Sequence, residues 1–196
     1  MKQLGFFVDV SKCTGCRTCM VACKDGHNGA TGMNYRHVVE HAEGTWQKTP
    51  SGAWTQNVLA YYVSTSCQHC SNPSCVKVCP TGAHHKRTED GLVVIDQSKC
   101  IGCGSCAKAC PYGAPVLNTT THKMEKCDGC LNRLDNGKMP LCVESCPQRA
   151  LDFGEISELR ARYGKLADIT PLPSSTLTTP SLVVKLPKKL SGTAKR

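Results

Sequence analysis

The chain has 196 residues, sixteen of them cysteine, and a proportion of about 8 % marks a short chain organised by crosslinks or metal sites rather than by a large apolar core. Three Phe, five Tyr and two Trp beside 17 Gly and 11 Pro leave little bulky material to bury, so a staple is expected. The formal net charge of +9 points on its face to nucleic acid or an anionic surface, while the longest apolar runs, Val58 to Val63 and Leu92 to Ile95, fall far short of the ~18 residues of a membrane-spanning helix and predict no span.

In chain order, the apolar run before Asp9 is too short for a secretory signal, so any export is expected to depend on another chain. Phe6 to Val10 reads as a strand, and the first cysteine group follows: Cys13, Cys16, Cys19 and Cys23. Residues 24–57, rich in Gly, His, Thr and Asn without steady periodicity, read as an insertion or long loop. A strand over Val58 to Val63 leads to group two, Cys67, Cys70, Cys75 and Cys79, and one over Leu92 to Ile95 leads to group three, Cys100, Cys103, Cys106 and Cys110. Group four is Cys127, Cys130, Cys142 and Cys146; a strand over Ala150 to Phe153 and a helix over Ile156 to Tyr163 close the folded part. From Pro171 the Pro, Ser, Thr and Lys content predicts an extended tail with little core of its own, whose Lys185, Lys188 and Lys189 read as a soluble end.

The cysteines thus fall into four groups of four with none left over. Groups one and three share C-x2-C-x2-C-x3-C, group two widens the middle gap to four residues and group four to eleven. The chain repeats itself beyond the cysteines. An apolar run followed by D-x-S-K-C occurs at Asp9 to Cys13 and at Asp96 to Cys100, and C-P-x-x-A closes groups two, three and four at Cys79, Cys110 and Cys146. The unit is strand, cysteine loop and a short helical turn between the third and fourth cysteines.

Three closely spaced thiolates and a fourth before proline suit a cubane iron–sulfur cluster, since one tight loop meets three irons and the fourth must be met from elsewhere; in two-cluster ferredoxins the fourth cysteine of each run serves the other cluster. Four such cubanes, each about −2 with its thiolates, contribute about −8, so the basic excess reads first as compensation for buried anionic clusters and no nucleic acid is expected. Zinc stays open for group four, whose spacing passes for a ribbon, whereas a third cysteine three positions on crowds one tetrahedral ion in groups one and three. Disulfides lack a secretory context, and C-x2-C neighbours pair poorly. Gly102 to Ala107 satisfies G-x-G-x-x-A, but two of its positions are Cys103 and Cys106 and no βαβ pattern surrounds it. His69, His84 and His85 lie among filled ligand positions and are expected to be solvated or hydrogen-bonded. No catalytic residue announces itself; the chemistry expected is one-electron transfer.

These groups, with Gly5 to Asp9, Trp54 to Val58, Ala60 to Ser64, Cys110 to Pro115, Lys126 to Cys130 and Cys142 to Pro147, resemble the iron–sulfur subunits of anaerobic dimethyl sulfoxide reductases. The cysteine groups alone also suit nitrate, thiosulfate, polysulfide and tetrathionate reductases and formate dehydrogenases. The resemblance implies an α+β fold of two bacterial-ferredoxin-like 4Fe-4S modules with loop insertions and an extended tail: 56–117 inserted between 1–55 and 118–158, with 159–196 as helix and tail. It implies four [4Fe-4S] clusters with crossed ligands. Cys13, Cys16 and Cys19 take Cys146; Cys127, Cys130 and Cys142 take Cys23; Cys67, Cys70 and Cys75 take Cys110; Cys100, Cys103 and Cys106 take Cys79. A non-catalytic electron-transfer subunit follows, in a heterotrimer with a molybdopterin catalytic subunit and an integral, quinol-oxidising membrane anchor. It would sit peripherally on the cell membrane, on the periplasmic face, co-exported with a twin-arginine partner. The direction of electron flow stays open, as in a formate dehydrogenase or hydrogenase run the opposite way.

Overall fold

The computed structural model describes residues 2–187 and Leu190; Lys188 and Lys189 lie outside the described residues, and Lys185 lies within them. In chain order the elements are β1 (Leu4–Asp9), α1 (Thr18–Gly26), β2 (His37–Glu43), β3 (Trp46–Lys48), β4 (Trp54–Gln56), β5 (Leu59–Thr65), α2 (Ser74–Lys77), β6 (His84–Lys86), β7 (Val93–Ile95), α3 (Ser105–Ala109), β8 (Val116–Asn118), β9 (Lys123–Glu125), α4 (Leu131–Asp135), α5 (Leu141–Glu144), β10 (Leu151–Glu155), α6 (Ile156–Tyr163) and β11 (Leu182–Lys185). The α+β class holds, built from small sheets.

The largest sheet has three strands in the order β10-β1-β11, with β1 antiparallel to β10 (Phe6 opposite Phe153) and parallel to β11 (Phe7 opposite Val183). Side chains alternate across a strand, and both faces of β1 are covered. Phe6, Val8 and Val10 join Leu151, Phe153, Leu182 and Val184 on the face that also holds Cys19, Cys23, Cys127, Cys142 and Cys146. Phe7 points the other way, under α6, with Val183, Ile156 and Leu159. Ile156, Leu159 and Tyr163 recur at helical spacing; Tyr163 stacks on Phe7 with ring centroids 3.7 Å apart, and the helix stops before Gly164 at φ 95°. Its bounds agree with the sequence expectation.

Two expectations are corrected. The tail has a core role: Leu182, Val183 and Val184 are buried to 2, 0 and 1 % exposure as β11, a short apolar run hidden in Pro- and Ser-rich surroundings. Residues 24–57 are not a loop throughout. After α1 they form β2, antiparallel to β5 (Val39 opposite Val63), and a hairpin of β3 and β4 that carries the exposed Trp46 and Trp54. The remaining strands pair as β6 with β7 and β8 with β9, each antiparallel. No helix among the described residues is long and apolar enough to cross a membrane.

Candidate metal centres

Each cysteine run sits in a loop that opens into a short helix: Cys19 and Cys23 on α1, Cys75 on α2, Cys106 on α3 and Cys142 on α5. The first hook of groups one, three and four is C-x-G-C, and Gly15, Gly102 and Gly129 all have positive φ, 72, 69 and 80°, which turns two sulfurs to one side at little cost for glycine.

The folded chain brings the runs together in pairs. One cavity of about 310 Å³, open to solvent, is lined by Cys13, Cys16 and Cys19 and by Cys146 from the far end of the chain. A second, of about 280 Å³, is lined by Cys100, Cys103 and Cys106 and by Cys79. For the other two expected sets, the thiolates that raise one another include the expected partners. Burial pushes the Cys70 thiol up to about 11 and the Cys75 thiol up to about 12, and in both Cys67 and Cys110 add to the rise. Burial likewise raises Cys127 and Cys142; Cys67, Cys23 and Cys142 add to the first, and Cys23, Cys130 and Cys19 to the second.

Neighbours across sets give an order. Cys142 feels Cys19, and Cys127 feels Cys67, while Cys75 and Cys106 share one apolar cluster with Val93 and Met124. The set of Cys13 therefore adjoins that of Cys127, which adjoins that of Cys67, which adjoins that of Cys100. At the two ends Cys16 and Cys103 are exposed, whereas Cys23, Cys127, Cys130 and Cys142 are all buried.

The polar groups around the sulfurs differ along this line. At the ends they are hydroxyls: Thr18 Oγ1 lies 3.4 Å from Cys16 Sγ, and the Cys103 thiol donates to Ser105 Oγ at 3.4 Å; these hydroxyls are the main cause holding both thiols below their usual range. Backbone N–H groups of Met124, His84 and Ala150 donate to Cys100, Cys79 and Cys146 at 3.3, 3.4 and 3.3 Å. In the interior the groups are cationic or aromatic. Arg36, 1 % exposed, donates to Ser64 and Ser66 at 3.0 Å each and lies over the Phe6 ring. Ser64 Oγ is in turn 3.3 Å from Cys19 Sγ. Against the cost of burial, Arg36 stays charged through Cys142, Cys127, Cys19 and Cys23; its Nε has no hydrogen-bond partner among the described residues. His27 lies 4.0 Å from Cys130 Sγ and 3.8 Å from Cys23 Sγ, with its pKa raised chiefly by Asp128. His27, Asp128 and Cys130 also approach one another closely enough for a metal ion, but Cys130 belongs to the buried cysteine set.

These features suit iron–sulfur clusters. Buried thiols that raise one another's pKa cannot all ionise unless a cationic core offsets them, which an Fe4S4 core does. A buried guanidinium with no carboxylate paired to it among the described residues needs anionic neighbours of the same kind. His84, lining the second cavity at 2 % exposure, keeps both ring nitrogens unpaired among the described residues and is held neutral by burial, its pKa lowered to about 4; contrary to expectation, its ring is buried from solvent and has no hydrogen bond among those residues. His69 is hydrogen-bonded as expected. Arg36, His27 and Ser64 carry no sequence signal beyond residue type.

The profile of a 4Fe-4S dicluster domain matches residues 58–156, and a second of the same description matches residues 12–83. One chain of the anaerobic dimethyl sulfoxide reductase from Escherichia coli (strain K12) is 56 % identical over 183 residues, covering 93 % of this chain and 88 % of that one. The chain belongs to the family of anaerobic dimethyl sulfoxide reductase iron–sulfur subunits. The corresponding chain of the Haemophilus influenzae reductase is 50 % identical over 194 residues, 98 % of this chain and 94 % of that one. A tetrathionate reductase subunit from Salmonella typhimurium is 38 % identical over 164 residues, 84 % of this chain and 62 % of that one. Members of the dimethyl sulfoxide reductase iron–sulfur family carry electrons through 4Fe-4S clusters rather than hold the catalytic centre.

Proposed function

We propose that the chain holds four [4Fe-4S] clusters in the crossed sets: Cys13, Cys16, Cys19 with Cys146; Cys127, Cys130, Cys142 with Cys23; Cys67, Cys70, Cys75 with Cys110; and Cys100, Cys103, Cys106 with Cys79. The observation that carries this is the pair of cavities, each lined by three cysteines of one run and the last of its partner run. The division into an inserted module, 56–117, within a discontinuous one, 1–55 and 118–158, follows from the same crossing. Each cluster passes one electron at a time, so the line of sets is a wire that begins and ends at an exposed sulfur.

In this reading electrons enter from an integral, quinol-oxidising membrane anchor and leave to a molybdopterin catalytic subunit that reduces dimethyl sulfoxide or a related S- or N-oxide, the three chains forming a heterotrimer. The names of the relatives support a subunit of such a complex. The tetrathionate reductase relative supports, more weakly, an equivalent place in another molybdoenzyme. The subunit would lie peripherally on the periplasmic face and be exported folded with a twin-arginine partner.

Anaerobically purified complex should contain about sixteen iron and sixteen acid-labile sulfide per chain on the four-cubane count. Zinc near four with little iron would overturn the cluster reading. Deleting the partner's export signal should leave this chain in the cytoplasm, and unchanged export would overturn the shared route.

A further inference from the structure

Group two departs from the other three runs at one backbone position. Where Gly15, Gly102 and Gly129 precede the second cysteine, group two has His69, and His69 keeps the same left-handed turn at φ 43°. A side chain there strains the backbone and persists only where the surroundings over-determine it. Those surroundings are complete: His69 is 0 % exposed, and its carbonyl accepts from Ser181 Oγ at 3.0 Å and Gln3 Nε2 at 3.2 Å.

The imidazole spans two cysteine sets. Its backbone lies in the loop between Cys67 and Cys70, and its Nε2 lies 3.9 Å from the sulfur of Cys127 in the neighbouring set. The Val93 N–H donates to its Nδ1 at 3.0 Å, so the lone pair faces Val93 and the ring's one proton is on Nε2, aimed at the sulfur. Lys126 fixes the acceptor side: buried, it donates to the carbonyls of Val93 and Cys127, tying β7 to the Cys127 loop and holding the ring between them.

We propose that His69 is the hydrogen-bond bridge between the two interior clusters, its Nε2–H donating to the Cys127 ligand of one from the Cys67–Cys70 loop of the other. This rests on the four-cluster reading above. The reduced cluster carries one more negative charge than the oxidised one, so a donor on a ligand sulfur favours reduction and raises the potential. One electron leaves one cluster and reduces the next; His69 keeps its proton and only fixes the level of the cluster it touches.

The test is a redox titration of the assembled complex by electron paramagnetic resonance, with iron counted in every sample. His69→Asn retains an acceptor for Val93 N–H and tolerates the left-handed turn, but its side chain is too short to reach Cys127. It should lower one of the four one-electron waves by about threefold to tenfold in the reduction equilibrium, the latter being 59 mV, and leave the other three. His69→Gln, whose amide reaches the position of Nε2, should bring that wave back toward the unaltered value. Four unmoved waves in His69→Asn with full iron would overturn the bridge, as would an equal shift in both variants or loss of iron from both, since each assigns His69 to packing alone. Iron well below sixteen in the unaltered chain would instead overturn the four-cluster reading.

Discussion

The interior set of Cys23, Cys127, Cys130 and Cys142 and the terminal set of Cys79, Cys100, Cys103 and Cys106 use the same kind of hook in opposite surroundings. All four sulfurs of the first belong to buried residues; of the second, only Cys106 is buried and Cys103 is exposed. The interior set is attended by Arg36, His27 and His69, groups that are costly to bury unless the anion they face is present. The terminal set is attended by Ser105, Thr81 and backbone N–H groups, which cost little and leave room for a partner to approach. With the proposed clusters in place, the interior one would help to fold the chain, whereas the terminal one would be mounted on a chain already folded.

The largest expected effect breaks the interior set. Cys142→Ala removes a ligand and one of the anionic neighbours that keep Arg36 charged, leaving a buried cation short of partners at a cost of about 3–5 kcal/mol out of a total that is usually about 5–15 kcal/mol. Little iron-loaded chain should be recovered. Cys103→Ser, at the exposed end, should instead fold and assemble, losing one iron; three remaining thiolates can hold a three-iron core. A new three-iron signal should appear, with quinol-driven reduction slowed and dye-driven reduction at the catalytic subunit retained. Equal losses of iron from the two variants would erase the distinction between interior and end, and an unchanged four-cubane spectrum would show that Cys103 is not a ligand.

Arg36 sharpens the comparison without touching a ligand. Arg36→Met keeps the volume and removes the charge, with an expected cost of about 3–5 kcal/mol, or a fall in Tm of roughly 6–20 °C for a chain of this size. The waves of the two cluster sets it faces, those of Cys19 and of Cys127, should both move down, since a cation favours the reduced form. Arg36→Lys should restore most of the potential but less of the stability, because an ammonium lacks the planar fork that holds Ser64 and Ser66 together. A thermal melt and a redox titration read the two effects separately.

How much of this is legible in the sequence depends on what each residue's neighbours are. The hooks and α6 are legible, the hooks because ligand spacing is local and α6 because Ile156, Leu159 and Tyr163 form one stripe. The α+β class is legible only through the family resemblance that the hooks and their intervening segments carry. Residues 24–57 mislead because β2 is only partly buried and β3 and β4 are exposed on every residue; a ribbon wet on both faces has no alternation to read. Arg36 sits in that stretch, and arginine is ordinarily a surface residue; only buried anions elsewhere in the chain make it an interior one. β11 is hidden for a different reason: its four residues pair in parallel with β1 from far along the sequence, and a composition average over Pro- and Thr-rich neighbours conceals a short apolar run. His69 is visible as a histidine among cysteines, but its role needs Val93 and Cys127, which only the fold brings to it.

The smallest effect belongs to the exposed end. Ser105 lies two residues beyond Cys103, as Thr18 does beyond Cys16, and each hydroxyl reaches the preceding sulfur. In both places the hydroxyl is the first cause of a lowered thiol pKa, and in both the sulfur is open to water. Water replaces a lost hydroxyl at such a site, whereas nothing replaces a lost imidazole in the interior. Ser105→Ala should therefore lower the potential of the Cys103 cluster by about 18 mV or less, a twofold change in a one-electron equilibrium for which tenfold is about 59 mV, with iron content and Tm unchanged. The shift should be largest in the assembled complex if a partner covers that end and excludes the water, and smaller in the isolated chain. A shift as large as that of His69→Asn in the isolated chain would mean that Cys103 is sheltered without a partner, and the contrast between a buried middle and open ends would fail at its exposed limit.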